Sequence, residues 1–287
     1  MEGRLALGAI TYLYAYYGSH GWHCGMDVCR EPLALASGSY RLPGELWRPP
    51  SEAAEEARLA LVLCHGSTQK GMRHELIRHL ASELALRWPV LTFDLPGFGR
   101  APRLVIRGPG DYLYYKHLLA AARLAKELTG LPVVLVGHSM GGRVSLQAAA
   151  RGQEEGLVVA VITLAGLYDL PSDPKAMEAL VADFASYVRV RFEVPMEEVA
   201  RAVAESRPTL KAIEALKVPL LAIEAGLEIY GFIRETRYEL FRRAKCPKTF
   251  VLLGKADHKF KGHYDRLTEL ISSWLEHRLS CLLKDRP

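Results

Sequence analysis

The sequence predicts an α/β protein: a doubly wound, mostly parallel central sheet with helices on both faces. Short runs rich in valine, leucine and isoleucine recur along the chain, and segments with helical spacing separate them. Runs that are apolar throughout are typical of strands buried on both faces of a parallel sheet. Alternation of such strands with helices is the signature of the doubly wound architecture. A length of 287 residues suits one large domain of this kind or two small ones.

The first half of the chain shows the alternation. A strand-like stretch over 31–50, broken by Pro43, predicts an opening hairpin. The predicted elements that follow are strand 59–64, helix 72–87, strand 89–94 and helix 112–129. We expect Asp94 to cap the turn after its strand, and residues 101–110 to form an irregular connection.

The stretch 131–143 joins a buried strand to a helix through a turn of small residues. Its valines favour a strand, and the alanine-rich sequence after it favours a helix. Between them lies G-H-S-M-G-G, in which Gly137 and Gly141 allow neighbouring backbone to pass close by. Ser139 is therefore expected on a strained turn at a helix N-terminus, with its hydroxyl above the end of the sheet. This is the pattern of a nucleophile elbow.

This strand–elbow–helix unit resembles the alpha/beta-hydrolase superfamily, of the serine esterase and lipase type with a small cap. The resemblance implies an oxyanion loop after strand 59–64, where the chain reads His65-Gly66-Ser67. By the same resemblance, the backbone N–H groups of Ser67 and Met140 form the oxyanion hole. His65 is expected to brace this loop by hydrogen bonding rather than to act as a base.

The second half of the chain completes the predicted sheet. The elements are strand 157–164, strand 218–223, helix 234–245, strand 249–253 and helix 264–282. About 50 residues separate the first two strands, which is too long for a plain crossover helix. The resemblance implies a small helical cap there, over about 168–217, before the penultimate core strand. Candidates to line a substrate pocket, or to hold the cap together, are Phe184, Tyr187, Val188, Val190 and Phe192. The predicted organisation is an N-terminal extension (1–30) and an alpha/beta-hydrolase domain (31–287).

A base and an acid are expected after the serine, in the family order serine, acid, histidine. A serine hydroxyl is a weak nucleophile until a base takes its proton, and an acid must orient that base. The last strand runs into Ala256-Asp257-His258, which resembles the family's histidine loop. His258 is therefore the expected base, with His263 as the fallback.

The acid departs from the family pattern. The family usually has an aspartate loop after the penultimate strand, whereas this chain reads Glu224-Ala-Gly-Leu-Glu228. Aligning the strand starts gives Glu228 the acid position, and a glutamate can hold an imidazole as an aspartate does. Asp169, after the preceding strand, is a second family location for the acid, and Glu224 is a further alternative.

Composition limits the other classes of function. The chain is 49% hydrophobic and 24% charged with a net charge of +5, and it has no long basic run with interleaved aromatics. Nucleic-acid binding is therefore not expected. The apolar segment 5–17 is shorter than the ~18–20 residues that span a bilayer and lacks a clear cleavage site. We expect a cytoplasmic protein with no firm membrane anchor, in which this segment packs on the body or touches a membrane surface. No oligomeric state is predicted.

The cysteine and amide content of the chain indicates the temperature and redox conditions to which the protein is adapted. Asparagine is absent and glutamine is rare, which with abundant arginine and glutamate indicates a heat-adapted protein, although codon bias gives the same skew. The odd number of dispersed cysteines is not a disulfide framework, and Cys24 and Cys29 are the nearest pair for a single bridge. These two, with His20 and His23, match no trusted zinc spacing, so no metal is expected.

The expected function is that of a serine hydrolase that cleaves carboxylic esters through an acyl-enzyme, as a carboxylesterase, lysophospholipase or monoacylglycerol lipase does. The expected partner is a small-molecule ester, and this chemistry needs no metal or organic cofactor. Thioester hydrolysis, acyl transfer and perhydrolysis on the same three residues are alternatives. A non-catalytic binding protein that kept the fold is another.

Overall fold

The computed structural model describes residues 23–24 and 28–279, with side chains over 28–277. Its strands are β1 (His23–Cys24), β2 (Cys29–Ser37), β3 (Tyr40–Arg48), β4 (Ala60–Cys64), β5 (Val90–Phe93), β6 (Leu104–Ile106), β7 (Val133–His138), β8 (Val158–Leu164), β9 (Val190–Phe192), β10 (Leu220–Leu227) and β11 (Lys248–Asp257). Its helices are α1 (Ser51–Glu56), α2 (Glu75–Leu84), α3 (Pro109–Tyr112), α4 (Tyr115–Thr129), α5 (Met140–Gly152), α6 (Pro174–Tyr187), α7 (Met196–Ser206), α8 (Pro208–Ala215), α9 (Gly231–Arg243) and α10 (Tyr264–Trp274). A 3₁₀ turn (Gly71–Arg73) precedes α2, and a π-helical turn (Leu275–Leu279) follows α10.

Within the described residues, the central sheet has nine strands in the order β1-β2-β3-β5-β4-β7-β8-β10-β11. The six strands from β5 to β11 in this order pair in parallel, whereas β2 and β3 form a hairpin that joins β5 in antiparallel pairing. The predicted mostly parallel sheet and its opening hairpin are confirmed. β4, β7 and β8 are buried along their whole length, as their continuous apolar sequences predict.

Helices cover both faces of the sheet. Along β4, Leu61 and Leu63 pack into a core with α2 and α10, while Val62 and Cys64 pack into a core with α4 and α5. Successive side chains of a strand point to opposite faces, so one strand serves both cores. With both faces buried, a ligand site is expected at the carboxyl edge of the parallel strands.

The residues between β8 and β10, called the insertion below, lie outside the central sheet. They contain α6, β9, α7 and α8, and β9 pairs in parallel with β6 to form a separate two-stranded sheet. The interpretation of residues 101–110 as an irregular connection was therefore wrong, because they contain β6 and the start of α3. A strand of three residues whose partner lies far along the chain leaves no periodic pattern in the sequence.

Arg189 joins the insertion to the turn that follows β5. Its guanidinium donates hydrogen bonds to the carbonyl oxygens of Gly97 (3.4 Å), Phe98 (3.0 Å), Gly99 (2.8 Å) and Ala101 (2.8 Å). Hydrogen bonds from a charged donor are stronger than those between neutral groups. The insertion is thus held against the body of the protein next to β9.

The described cysteines are of two kinds, bonded and free. Cys29 is disulfide-bonded, and the antiparallel register of β1 on β2 sets Cys24 opposite it. Cys64 and Cys246 are free and buried.

The predicted apolar segment 5–17, His20 and Cys281 lie outside the described residues. None of the helices in the described part of the chain has the length and apolar character that crossing a bilayer requires.

Candidate active site

Ser139 occupies the sharp turn between β7 and α5. Its backbone has φ 53° and ψ −122°, a left-handed conformation that costs about 1–3 kcal/mol in a residue with a side chain. The Ser139 N–H donates to the carbonyl oxygen of Leu164 (2.9 Å), which ties the turn to the end of β8. The strained turn that the sequence predicts is therefore present at Ser139.

The glycines on either side of Ser139 allow this turn to form. A Cβ atom at Gly137 would lie 2.2 Å from the carbonyl oxygen of Gly141, and one at Gly141 would lie 2.2 Å from that of Cys64. Both distances are far below van der Waals contact. The start of α5 can approach the ends of β4 and β7 this closely only because both residues lack side chains.

His258 lies against Ser139 and Glu228. Its Nε2 is 2.9 Å from Ser139 Oγ, and its Nδ1 is 2.7 Å from Glu228 Oε2. A carboxylate can only accept hydrogen bonds, so Nδ1 carries the proton and donates to Glu228. Nε2 is then free to accept the hydroxyl proton of Ser139. The three side chains form one continuous hydrogen-bonded chain.

The pairing of the last two strands brings the acid and the imidazole together. After a register shift between Ala225 and Leu227, Leu227 of β10 pairs with Asp257 of β11. Glu228 and His258 follow these two residues directly, just beyond the ends of the strands. Both leave the sheet at its carboxyl edge, so the juxtaposition follows directly from the register.

Glu228, at the end of the hydrogen-bonded chain from Ser139 through His258, is ionised. Burial would raise the pKa of its carboxyl, but hydrogen bonds from His258 and from the backbone N–H of Tyr230 (3.0 Å) outweigh burial and lower the pKa below its ordinary value. The carboxylate is therefore available to orient the imidazole at neutral pH.

The other predicted acids and the fallback histidine bond elsewhere. Asp169 Oδ2 accepts from Arg207 Nη2 (2.6 Å) and Nε (3.0 Å). Glu224 is fully buried, accepts from the Leu167 N–H (3.2 Å), and has its pKa raised to about 8 by burial. His263 Nδ1 bonds the carbonyl oxygen of its near neighbour Lys261 (3.1 Å). Of these candidates and Glu228, the structure brings Glu228 to His258.

The predicted oxyanion loop packs against the elbow. Ser67 Oγ lies 3.2 Å from Met140 Sδ, and a Cβ atom at Gly66 would lie 3.1 Å from Cβ of Ser139. Neither the Ser67 nor the Met140 backbone N–H donates to an acceptor within the described residues. The elbow and the loop packed against it thus each leave one N–H group available, as an oxyanion hole requires.

His65 and Asp94 hold this region in place. His65 Nδ1 donates to the carbonyl oxygen of Gly66 (2.7 Å), and its Nε2 accepts from the Leu95 N–H (3.0 Å). Asp94 accepts from the N–H groups of Met72 (2.7 Å) and Arg100 (2.8 Å). The expected brace at His65 and the expected turn cap at Asp94 are confirmed.

Two residues that contact His258 were not predicted from the sequence. His138 Nε2 donates to the backbone carbonyl of His258 (2.8 Å), and burial lowers the pKa of His138 to about 3, which keeps it neutral. The Tyr230 ring meets the His258 ring edge-on at 4.8 Å. Both contacts join residues from separate strand ends, so no local motif signals them.

The insertion residues expected to line a pocket divide into two groups. Phe184 and Val188 are buried, and Phe184 packs on Tyr112 with ring centroids 5.1 Å apart. Tyr187 is 37% exposed and interacts with Ser67. Phe184 and Val188, with the partly buried Val190 and Phe192, pack the insertion against the core of the body. Tyr187 instead borders the site. Within the described residues, no group of three or more histidine, cysteine or acidic side chains is placed to hold a metal ion.

Comparison with known proteins supports the same fold. Est1E from Butyrivibrio proteoclasticus with ferulic acid bound has a TM-score of 0.64 at 18% identity, over 86% of this chain and 99% of that one. Dienelactone hydrolase from Anabaena variabilis gives 0.61 at 18% identity, over 88% and 98%. Esterase Pf2001 from Pyrococcus furiosus gives 0.61 at 15% identity, over 86% and 92%. No curated protein sequence matches the chain.

A sequence profile of the alpha/beta hydrolase family matches residues 61–280. This match runs from β4 through the last helix and includes the elbow, the insertion and the strand ends that carry Glu228 and His258. The chain belongs to the alpha/beta hydrolase family.

Proposed function

We propose that this protein is a serine hydrolase that cleaves carboxylic esters through an acyl-enzyme. The observation that carries the proposal is the unbroken chain of hydrogen bonds from Ser139 Oγ through the His258 imidazole to the Glu228 carboxylate. A serine placed in this way can lose its proton as it attacks a carbonyl carbon. Among the structurally similar proteins, Pf2001 is named an esterase and the Est1E structure holds ferulic acid. Both agree with this class of reaction.

Ser139 carries out the first half of the reaction. Its Oγ attacks the ester carbonyl carbon while its proton passes to His258 Nε2. The carbonyl oxygen becomes negative, and the N–H groups of Ser67 and Met140 stabilise it, each by about 3 kcal/mol. The bond to the alcohol oxygen then breaks, and His258 returns the proton to that oxygen.

Water completes the reaction. The water oxygen attacks the acyl carbon while His258 takes a proton from the water. His258 then protonates Ser139 Oγ as the carboxylic acid leaves. Glu228 accepts from Nδ1 throughout and stabilises the imidazolium that forms in each half. The Tyr230 ring beside His258 is 44% exposed, and Leu227 and Ile229, which flank Glu228 in the chain, are 59% and 76% exposed. This surface suits an apolar alcohol group.

Active-site labelling tests the proposal. A fluorophosphonate probe should label the wild type and fail to label Ser139→Ala. The control Ser186→Ala removes an exposed hydroxyl far from the elbow in sequence and should be labelled like the wild type. A folded wild-type protein that the probe does not label would refute the proposal and favour a binding protein.

Substrate series then define the ester. The kcat/KM for p-nitrophenyl esters from acetate to laurate separates a short-chain carboxylesterase from a lipase or lysophospholipase. Thioesters of the same acids, assayed beside them, test the alternative reaction. A kcat/KM that is higher for thioesters than for alkyl esters of the same acid would contradict the ester assignment.

A further inference from the structure

Arg143 is a buried cation that the proposed reaction leaves without a role. It lies in the first turn of α5, four positions after Ser139, and is 2% exposed. An arginine stays charged at any ordinary pH. Burying a charge is unfavourable unless it is paired or fully hydrogen-bonded. A protein interior therefore normally supplies acceptors around such a group.

The surroundings of Arg143 supply one, the phenol oxygen of Tyr168. Its Nε and Nη1 atoms have no hydrogen-bond acceptor, and no ion pair includes it among the residues with described side chains. Arg237, which is also buried, leaves only the N–H at Nε without an acceptor. Its Nη1 donates to the carbonyl oxygen of Ala225 (2.8 Å), and its charge acts on the Glu224 carboxyl. Arg143 presents three unused N–H bonds and an uncompensated positive charge.

Two phenols, rather than a carboxylate, share this environment. The charge of Arg143 acts on Tyr112 and Tyr168, and Tyr168 also has a hydrogen bond with it. Burial raises the pKa of both phenols above the ordinary value, although Arg143 opposes the rise. Both hydroxyls therefore stay protonated and can donate to an anion placed between them and the guanidinium.

The position of Arg143 associates it with the acyl part of a substrate. His258 protonates the leaving alcohol, so the alcohol lies on the side of β10 and β11. The acyl group stays on Ser139 and extends the other way. The charge of Arg143 acts on Cys64 at the end of β4, a strand on the opposite side of β7. It also acts on Tyr112 of α3, which interacts with Tyr187, the residue bonded to Ser67 of the oxyanion loop. Tyr168, after β8, interacts with Glu228 and Tyr230 as well, and so connects Arg143 to the site.

We propose that Arg143 binds a carboxylate at the far end of the acyl group, with the phenols of Tyr112 and Tyr168 as further donors. This inference rests on the proposed function and adds its substrate class: half-esters of short dicarboxylic acids. Arg143 lies about one helical turn after Ser139, so the acyl group that joins the two is expected to be short. A carboxylate is planar and can accept two parallel hydrogen bonds from a guanidinium.

A pair of substrates of the same shape tests the inference. The monoethyl ester of glutaric acid carries the carboxylate, and ethyl 5-methylhexanoate replaces that carboxylate with an isopropyl group. Ethanol release gives kcat/KM for each, and their ratio is the readout. The wild type should favour the anionic ester. Arg143→Met should lower the ratio by about 100-fold, which at 1.36 kcal/mol per tenfold corresponds to about 2.7 kcal/mol.

A matched control and a second measurement make the outcomes decisive. Arg151→Met removes an arginine from the last turn of the same helix and should keep the wild-type ratio. If Arg143→Met does not fold, inhibition of the wild type decides: glutarate should compete with substrate at least tenfold more strongly than 5-methylhexanoate. A folded Arg143→Met with the wild-type ratio, or equal inhibition by the two acids, overturns the inference. Because fluorophosphonate labelling of Ser139 is scored separately, such a result would leave the proposed function standing.

Discussion

Replacing Glu228 with glutamine should remove most of the activity without unfolding the protein. Glu228 Oε2 lies 2.7 Å from His258 Nδ1, and both side chains are buried. A carboxylate holds the proton on Nδ1, whereas the amide of a glutamine can donate to Nδ1. The proton would then move to Nε2, which could no longer accept from Ser139.

The magnitude follows from the charge that the reaction creates. When His258 takes the serine proton, an imidazolium faces the carboxylate at this separation. At an effective dielectric constant of about 20, their attraction is about 6 kcal/mol. Since each 1.36 kcal/mol is tenfold in rate, we expect kcat for p-nitrophenyl butyrate to fall about 10⁴-fold in Glu228→Gln.

Asp169→Asn is the matched control. It removes the other candidate carboxylate, whose partner is Arg207, so it should lower the melting temperature and leave kcat within a few-fold of the wild type. Both variants are first checked for cooperative thermal unfolding. Loss of turnover in Asp169→Asn, with Glu228→Gln within tenfold of the wild type, would refute the assignment of the acid.

Three further predictions concern residues around the site. His138→Phe removes the donor that holds the His258 carbonyl, so kcat should fall about 10- to 100-fold. His138→Gln can still donate and should recover most of the wild-type kcat. Equal kcat values for the two variants would argue against a positioning role for His138. Gly137→Ala would set a Cβ 2.2 Å from the carbonyl oxygen of Gly141, and should destabilise the fold by more than about 3 kcal/mol; a wild-type melting temperature would exclude that clash. Glu224 has its pKa raised from 4.5 to about 8 by burial, so its contribution to stability is present below the lower value and is lost as pH rises toward the upper one. Glu224→Gln should therefore flatten the decline in the free energy of unfolding between these two values, and denaturant titrations that show the wild-type slope would contradict the raised pKa.

Local patterns in the sequence account for most of the fold. Continuous apolar runs identify the buried strands, and the glycines around Ser139 identify the turn, because both signals lie within a few residues. The strand predicted at 218–223 in fact spans Leu220–Leu227. Glu224 interrupts its apolar run, although the residue is fully buried, so a pattern of hydrophobicity ends too early there.

The parts that sequence reasoning missed depend on contacts between distant segments. The β6–β9 pair, the hydrogen bond from His138 to the His258 carbonyl, and the unpaired charge of Arg143 appear only when separate strand ends and loops are brought together. A histidine or an arginine near an elbow looks like any other polar residue in the sequence. Its role depends on neighbours that only the folded chain supplies.

Arg189 restricts how the insertion can move. Its guanidinium bonds several carbonyl oxygens of one turn, and the neighbouring β9 pairs with β6. Swinging the insertion open as a flap would break all of these bonds together, at about 1.5–3 kcal/mol for each bond from the charged donor. Substrates are therefore expected to enter past Ile229 and Tyr230, with the insertion as a stationary wall. The packing of side chains around the site, rather than a hinge movement of the insertion, then limits the size of the molecule that the site accepts.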